Sequence, residues 1–221
     1  MKIKLAPILG AVLIIGLFFT GCNNNKTPNI AEENSTAAEN HLPGKETGLD
    51  ALELPEIKTD IIALEGDDHS FTFTRFQAEN LGLIAYIPED LVAEAASSDE
   101  GDSVIINSNF VGIKRTDVYL SFLLYAEETT LAKAIEQTRT EFEQKGYEFR
   151  QWEAQEYHVY PWAENEFLLT KYDHEPRYVG FVAFGNKGNR VLRVLRHMPE
   201  EFSEGFYPRT EKILTDLEWY Q

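Results

Sequence analysis

The chain has 221 residues, with 37 acidic against 20 basic side chains and a formal net charge of -17 at pH 7. This charge excludes nucleic acid as an electrostatic partner and disfavours anionic lipid surfaces, because both are themselves negative. The single cysteine rules out an internal disulfide, and the length suits one folded domain preceded by targeting and linker segments.

Residues 1–21 have the pattern of a bacterial export signal. Lys2 and Lys4 form a positive head, and the apolar stretch 5–19 is shorter than the ~20 residues that a membrane-spanning helix needs. The following Thr20-Gly21-Cys22 resembles the lipobox of bacterial lipoproteins. The resemblance implies cleavage before Cys22, diacylglyceryl and palmitate acylation of that residue, and a lipid anchor on the extracytoplasmic face of the cell membrane. A plain signal peptide or an uncleaved anchor is the alternative.

The next segment, residues 22–56, is predicted to be the lipidated N-terminus and a disordered linker. It is rich in Asn, Glu, Thr and Ala, lacks aromatic residues and shows no apolar periodicity. Such a composition cannot bury enough apolar surface to fold. The globular domain is therefore expected to span residues 57–221.

The first half of that domain is predicted to be mostly strands. Residues 97–103, Ser-Ser-Asp-Glu-Gly-Asp-Ser, are predicted to form a charged loop. Residues 117–125 are apolar on both alternating faces, which is typical of an interior strand in a sheet covered on both sides. The predicted strands are 70–76, 83–87, 104–113 and 117–125.

A helix is predicted next, capped by Thr129 or Thr130 and ended by Gly146. A last helix is predicted with Pro208 as its first residue, followed by Trp219, which is expected to pin the end of the chain. The order of strands, helix, antiparallel strands and helix indicates an α+β fold with helices against a mostly antiparallel sheet. The strands expected between the two helices are 147–154, 156–162, 166–172, 177–184 and 190–197, the last two as a hairpin.

Several stretches of this domain carry a resemblance to a known family: Ala85-Tyr86-Ile87-Pro88-Glu89-Asp90, Thr129-Thr130-Leu131, Arg193-Val194-Leu195, Pro199-Glu200-Glu201, Gly205, Pro208-Arg209 and residues 213–219. Over about residues 68–220 the chain resembles the PsbP-like domain. That group includes the extrinsic PsbP subunit of photosystem II and the DcrB-like bacterial envelope lipoproteins. The resemblance implies an α/β/α sandwich, in which helices flank a central mostly antiparallel sheet, and mostly non-catalytic adaptor roles. It brings no catalytic residues and no ligand motif.

Two fragments of catalytic motifs are incomplete. Gly101-Asp102-Ser103 resembles the block that carries the nucleophilic serine of SGNH esterases, but it does not follow a buried strand and lacks a late Asp-x-x-His partner. His174-Glu175 begins like the zincin motif, but Tyr178 replaces the second histidine and Pro176 forbids the helix. We therefore expect no enzyme activity.

Acidic turns are weak candidates for a cation site. One comprises Asp173, His174 and Glu175, and the other Asp99, Glu100 and Asp102. Hard cations take several oxygen ligands, but neither turn has the spacing of an EF-hand loop. Solvated turns are the simpler interpretation.

Residues 190–197 form a basic strand in an acidic protein. The alternation of a strand places Arg190 and Arg196 on one face, and Arg193 with His197 on the other. We expect these arginines to pair across strands with Glu or Asp. A binding site for an anion or an acidic partner is the alternative, because guanidinium groups favour carboxylate and phosphate.

Together these features predict a membrane-anchored, extracytoplasmic lipoprotein that acts without a cofactor as a non-catalytic protein-binding or assembly module. The tether would raise its effective concentration against membrane-bound envelope proteins. A ligand- or metal-cation-binding lipoprotein, acting alone or with a transporter, is the alternative.

Overall fold

The computed structural model of the protein describes residues 54–152, 159–173 and 175–220. The predicted signal peptide, Cys22 and most of the linker lie outside the described residues, as does His174. In the part of the chain that is described, no helix is long and apolar enough to cross a membrane.

Two antiparallel sheets and two α-helices make up the described domain. The first half contains β1 (Ile57–Leu64), β2 (Asp67–Ala78), β3 (Leu83–Pro88), β4 (Leu91–Ser98), β5 (Gly101–Ser108) and β6 (Arg115–Tyr125). The second half contains α1 (Leu131–Gln144), β7 (Glu148–Gln151), β8 (Asn165–Lys171), β9 (Tyr178–Lys187), β10 (Arg190–Pro199), α2 (Ser203–Thr215) and β11 (Glu218–Trp219). The larger sheet has seven strands in the order β4-β5-β6-β10-β9-β8-β7, and the smaller has four in the order β1-β2-β3-β11.

The strand β6 lies inside the larger sheet and is covered on both faces, as predicted. Phe122 and Leu124 belong to one apolar cluster, whereas Leu123 and Tyr125 belong to a second cluster on the opposite face. All four side chains are at most 5% exposed. Alternate side chains of β6 therefore pack into two separate hydrophobic cores, one on each face of the sheet.

Helix α1 covers the second of these cores. Its start is as predicted, since the Thr130 side chain accepts a hydrogen bond from the Lys133 backbone N–H at 3.3 Å. Gly146 follows the helix with φ 82°, a left-handed conformation that favours glycine. Ala134 and Phe142 of α1 are buried in the cluster that contains Leu123 and Tyr125.

The opposite face of the larger sheet is covered by α2 together with the smaller sheet. Phe206 and Ile213 of α2 share a core with Leu83 and Ala85 of β3 and with Phe122 of β6. The expectation of a mostly antiparallel α+β fold is confirmed. The finer expectation of an α/β/α sandwich is not clearly met, because a second sheet and a helix together cover this face.

Three strands, β1, β4 and β11, were not predicted, and one predicted loop is wrong. Residues 97–103 do not form a loop: β4 and β5 pair along their whole lengths, so that only Asp99 and Glu100 turn between Ser98 and Gly101. A Cβ on Gly101 would lie 2.2 Å from the Leu124 carbonyl oxygen of β6, so this close approach requires glycine. The Ala- and Ser-rich end of β4 has low strand propensity, and its pairing with β5 overrides that preference.

Other predictions also differ. Residues 159–162, the described part of the strand expected over 156–162, form bends and turns, and several element boundaries are shifted. The strand expected over 104–113 ends at Ser108, and a single 3-10 turn, Phe110–Gly112, follows. The last helix begins at Ser203, so Pro208 lies inside α2 rather than at its first position. Proline lacks an N–H and removes one bond of the helical ladder, while the burial of Phe206 and Ile213 on either side holds the helix against the sheet.

Burial of Trp219 fixes the end of the chain, as predicted. Trp219 is 1% exposed, pairs with Leu83 in the smaller sheet and meets the Phe122 ring edge-on, with centroids 6.3 Å apart.

We predict that Trp219→Ala lowers the free energy of unfolding by about 3–5 kcal/mol, because the cavity that the missing indole ring leaves cannot collapse fully. Chemical denaturation of the full chain measures this.

The matched control is Trp152→Ala, since Trp152 is 36% exposed. We expect this variant to lose less than half as much stability as Trp219→Ala. An equal loss in the two variants would contradict the role given to Trp219.

Candidate functional site

One face of the larger sheet is only partly covered. Helix α1 packs on β7 and β9 at one end of this face, whereas the part built from β4 and β5, beside the buried strand β6, is open. The open part forms a cleft of about 490 Å³. Its principal lining residues are Glu94 of β4, Ser103, Ile105 and Asn107 of β5, Tyr119, Ser121 and Leu123 of β6, Glu141 of α1, and Arg193 and Leu195 of β10.

The strand register explains how the floor of the cleft is built. Residues that pair across antiparallel strands present their side chains on the same face. Glu94, Ile105, Ser121 and Leu195 therefore form one row across four strands. Ile105, in the middle of the floor, is 40% exposed although it is a large apolar side chain. The floor thus offers apolar contact beside hydrogen-bonding groups.

Charged pairs stand at the sides of the cleft. Lys114 Nζ lies 2.6 Å from the Glu94 carboxylate on the β4 side. On the α1 side, Arg193 Nη1 donates to Thr138 Oγ1 at 3.1 Å and lies 3.8 Å from the Glu141 carboxylate. The Nε–H of Arg193 is buried without a hydrogen-bond partner among the described residues. An unpaired buried donor of this kind is costly, by about 1–3 kcal/mol.

The three predicted arginines do not form one site. Arg193 faces α1, as the alternation of the strand predicted, and Arg196 lies on the opposite face with a side chain only 5% exposed. Arg196 donates to Thr210 and to the Glu211 carboxylate of α2, and its guanidinium lies 3.7 Å from the centre of the Tyr207 ring. Each of the three arginines pairs with an acidic residue, but not across neighbouring strands as predicted. Glu141 and Glu211 belong to helices, and Asp102 belongs to β5, which β6 separates from β10.

Arg190 pairs with Asp102, one of the weak candidates for a cation site. Arg190 Nη2 lies 2.9 Å from the Asp102 carboxylate and also donates to the Leu124 carbonyl. Burial by itself would raise the pKa of Asp102, but hydrogen bonds from Ser97 and Arg190 outweigh that effect and hold the pKa below its usual value. The charge of Asp102 is thereby already balanced inside the protein.

The remaining cation candidates lie on the surface. Asp99 and Glu100 form the exposed turn between β4 and β5, and the Glu175 carboxylate lies 3.4 Å from Arg177 Nε. Within the described ranges, no group of three or more His, Cys, Asp or Glu side chains could hold a metal ion. His174 lies outside those ranges, so the turn that contains it is described only in part.

Ser103 lies in the cleft, but the structure does not bring a described base to it. Its hydroxyl donates to the Ala96 carbonyl at 3.3 Å. Ser103 shares a row with Arg193, whereas His197 is four residues farther along β10 and two strands away from β5. His69, the other histidine within the described ranges, is exposed on β2.

A buried cluster of aromatic rings around His197, which adjoins the cleft through Tyr119, was not anticipated in the sequence. His197 is 5% exposed and lies between the rings of Tyr119 and Tyr178, with centroids 5.1 and 5.3 Å away. Its Nδ1 donates to the Asp117 carbonyl at 2.9 Å, which leaves Nε2 to accept from the Tyr147 hydroxyl at 2.7 Å. Strand alternation predicted the face of His197, but no local signal indicated Tyr147, which lies 50 residues away.

The hydrogen bonds of this cluster require a neutral imidazole. Burial lowers the pKa of His197 below its usual 6.5, although the hydrogen bond to Asp117 acts in the opposite direction. Burial also raises the pKa of Tyr147 to about 12, so this hydroxyl keeps its proton and remains a donor. The cluster therefore joins β10, β6 and the segment after α1 without any net charge on the imidazole.

Comparisons with known proteins give several structural likenesses, which include the following two. No family model matches this sequence, and neither does a curated protein. The solution structure of cyanobacterial PsbP (CyanoP) from Synechocystis sp. PCC 6803 aligns with a TM-score of 0.39 and 11% identity, over 67% of this chain and 92% of that one. The crystal structure of LpqN, involved in cell envelope biogenesis of Mycobacterium tuberculosis, aligns with a TM-score of 0.33 and 9% identity, over 79% and 98% of the two chains. TM-scores of this size establish neither a shared fold nor a shared function, and the PsbP-like resemblance remains a prediction.

The histidine cluster predicts a pH-dependent stability. A histidine whose pKa is lowered in the folded state stabilises the fold fully above pH 6.5, and this contribution is lost as the pH falls below that value. We predict that the melting temperature decreases between pH 7.5 and 5.5, and that His197→Phe, although less stable at pH 7.5, shows a smaller decrease. Thermal melts at the two pH values measure the effect.

The matched control for this experiment is His69→Gln, which removes an exposed histidine. This variant should keep the pH dependence of the unsubstituted chain. If His197→Phe kept it as well, another group would be responsible for the titration.

Proposed function

We propose that this protein is a lipid-anchored protein of the bacterial envelope whose globular domain binds another protein without catalysing a reaction. The lipobox resemblance of Thr20-Gly21-Cys22 supports the anchor and the extracytoplasmic location. The linker supports a reach on the order of 30 Å from the membrane, as expected for a random coil of this length. The domain then searches a thin layer next to the membrane.

The observation that carries the binding role is the cleft over β4, β5 and β6. Its volume of about 490 Å³ falls within the range of roughly 300–1,000 Å³ that is typical of small-molecule pockets. The opposite face of this sheet is filled by a core, and here the apolar side chain of Ile105 is left 40% exposed at the bottom of a concavity. An apolar floor with charged pairs at its sides is the usual composition of a surface that receives another molecule.

The chemistry of the cleft favours binding over catalysis. A nucleophilic serine needs a base within hydrogen-bond reach, and the hydroxyl of Ser103 instead donates to a backbone carbonyl. The arginines closest to the cleft are engaged by acids of the same chain. These groups stabilise the domain, and the open floor remains available for a partner.

A photocrosslinking amino acid at position 105 tests this function in cells. We predict that it captures a specific envelope protein, because Ile105 lies on the floor of the cleft. The matched control is the same crosslinker in place of Ile61, an exposed isoleucine on β1 in the other sheet. Mass spectrometry of the captured products identifies the partner.

Cys22→Ala in the same background tests the anchor. We expect capture at position 105 to be lost when the protein is released from the membrane. Equal capture at positions 61 and 105 would rule out the cleft as the binding site. A product of small-molecule mass at position 105, with no protein, would favour a ligand-binding lipoprotein that acts alone.

A further inference from the structure

We propose that the outer edge of β4 binds an extended, positively charged segment of the partner protein, which joins the larger sheet as an additional strand. This inference rests on the proposed function and specifies how the partner is held. It commits to a peptide segment in the extended conformation, recognised through its backbone and its positive charge.

The edge of β4 is accessible. In the larger sheet β4 is the first strand, and among the described residues no other strand pairs with its outer side. The five consecutive residues Glu94–Ser98 are all exposed. Because four of these five side chains are Ala or Ser, they are too small to shield the backbone.

Hydrogen bonds at the neighbouring strand show which backbone groups of β4 point outward. The Ala126 N–H donates to the Glu100 carbonyl, so the pair Gly101–Tyr125 is not hydrogen-bonded between β5 and β6. Gly101 therefore directs its backbone groups toward Ser98 of β4, with which it is paired. By alternation along β4, the groups that point away from the sheet belong to Ala93, Ala95 and Ser97.

Two other strand edges, those of β7 and β1, are protected in the ways that prevent strand addition. Proteins shield sheet edges with charged side chains, short strands, proline, bulges or a covering helix. The strand β7 at the opposite end has four residues, two of them charged, and α1 packs on it. On β1, Lys58 and Asp60 form ion pairs with Asp216 and Lys212, and α2 packs on the strand.

The end of β4 lacks these protections. After Glu94 it runs Ala95-Ala96-Ser97-Ser98, with no lysine, arginine or proline, and its register with β5 has no bulge. A strand of this composition does not stabilise itself by side-chain packing. Its exposed backbone groups match an added strand, as in the recognition mode in which main-chain bonds supply affinity and side-chain pockets supply specificity.

The cleft lies beside β4 and provides the pockets for side chains of the added strand. Glu94 and Ser98, on alternate positions of β4, both line the cleft. A strand added to β4 would direct every second side chain to the same face, at the open side of the cleft. The edge and the cleft therefore form one continuous surface for a single extended segment.

The negative charge around the edge of β4 favours a basic segment as its ligand. Asp99 and Glu100 form the exposed turn at the end of the strand, and the chain as a whole carries a net charge of -17. A basic segment is attracted to this surface, and a second copy of the chain would bring the same acidic edge against itself. The short-range positive charge of Lys114 is already paired with Glu94.

Substitution by proline tests the proposal. Ala95→Pro removes an outward N–H without removing a bond of the β4–β5 ladder, and proline is tolerated on an edge where its nitrogen faces solvent. Ala95→Ser keeps the N–H and is the matched control. A second pair, Ser97→Pro with Ser97→Ala, repeats the test at the next outward position. Circular dichroism and thermal melts establish that each full-length variant is folded.

The probes are two fluorescent peptides, one of alternating lysine and valine and one of alternating glutamate and valine. We expect the basic peptide to bind the unsubstituted chain at least about tenfold more tightly than the acidic peptide. Ala95→Pro should lower the affinity for the basic peptide by about tenfold or more, whereas Ala95→Ser should lower it by less than about twofold. Fluorescence anisotropy measures both affinities.

Several results would overturn the proposal. Equal affinity of the two peptides would refute charge selection, and unchanged affinity in both folded proline variants would refute pairing at the edge. A dimer of the unsubstituted chain that Ala95→Pro dissociates would identify a second copy as the occupant. Tighter peptide binding after deletion of residues 23–53 would identify the chain's own linker as the occupant.

Crosslinking at position 105 separates this proposal from the function on which it rests. Capture of the same partner by the unsubstituted chain and by Ala95→Pro would overturn strand addition and leave the binding function intact. Absence of capture in the unsubstituted chain would overturn the binding function, while the peptide affinities would still decide whether the edge accepts a strand.

Discussion

The structure depends on the burial of two neighbouring strands, β6 and β10, on both faces of the larger sheet. Because successive side chains point to opposite faces, every residue of these strands must be accommodated by one of two cores. Most positions meet this requirement with apolar side chains such as Phe122 and Leu123. The domain therefore needs a cover on each face, and the helices and the smaller sheet supply it.

The polar residues of β10 bind the two helices to the larger sheet through specific hydrogen bonds and ion pairs. Arg193 reaches Thr138 and Glu141 of α1, while Arg196 reaches Thr210 and Glu211 of α2 on the other side. A buried guanidinium that lost its partner would be left uncompensated, at a cost of about 3–5 kcal/mol. These contacts thus hold each helix at one position over the sheet. His197 adds a third attachment, through Tyr147, to the segment that follows α1.

The elements that pack on the larger sheet do not extend over its whole face, and the uncovered part forms the candidate site. Helix α1 packs at the end of the face that includes β7 and β9, and the end built from β4 and β5 remains open beside the buried strand β6. The same end carries the edge strand whose backbone groups are exposed. A cleft and an unprotected edge on one side of a rigid sheet form a surface that suits an extended chain.

Local patterns in the sequence were sufficient for the central features of the domain. The apolar residues on both faces of 117–125 predicted an interior strand, and alternation predicted that Arg193 and Arg196 face opposite ways. The pair Thr129 and Thr130 predicted the start of α1, and Gly146 predicted its end. These features depend on periodicity and capping, which act over a few residues. Pairing of β4 with β5, the position of Pro208 inside α2, the contact of His197 with Tyr147 and the open cleft depend instead on which distant segments meet. Such contacts are decided by tertiary packing, because strand pairing and burial can override weak local preferences, and no local pattern encodes where a cover ends.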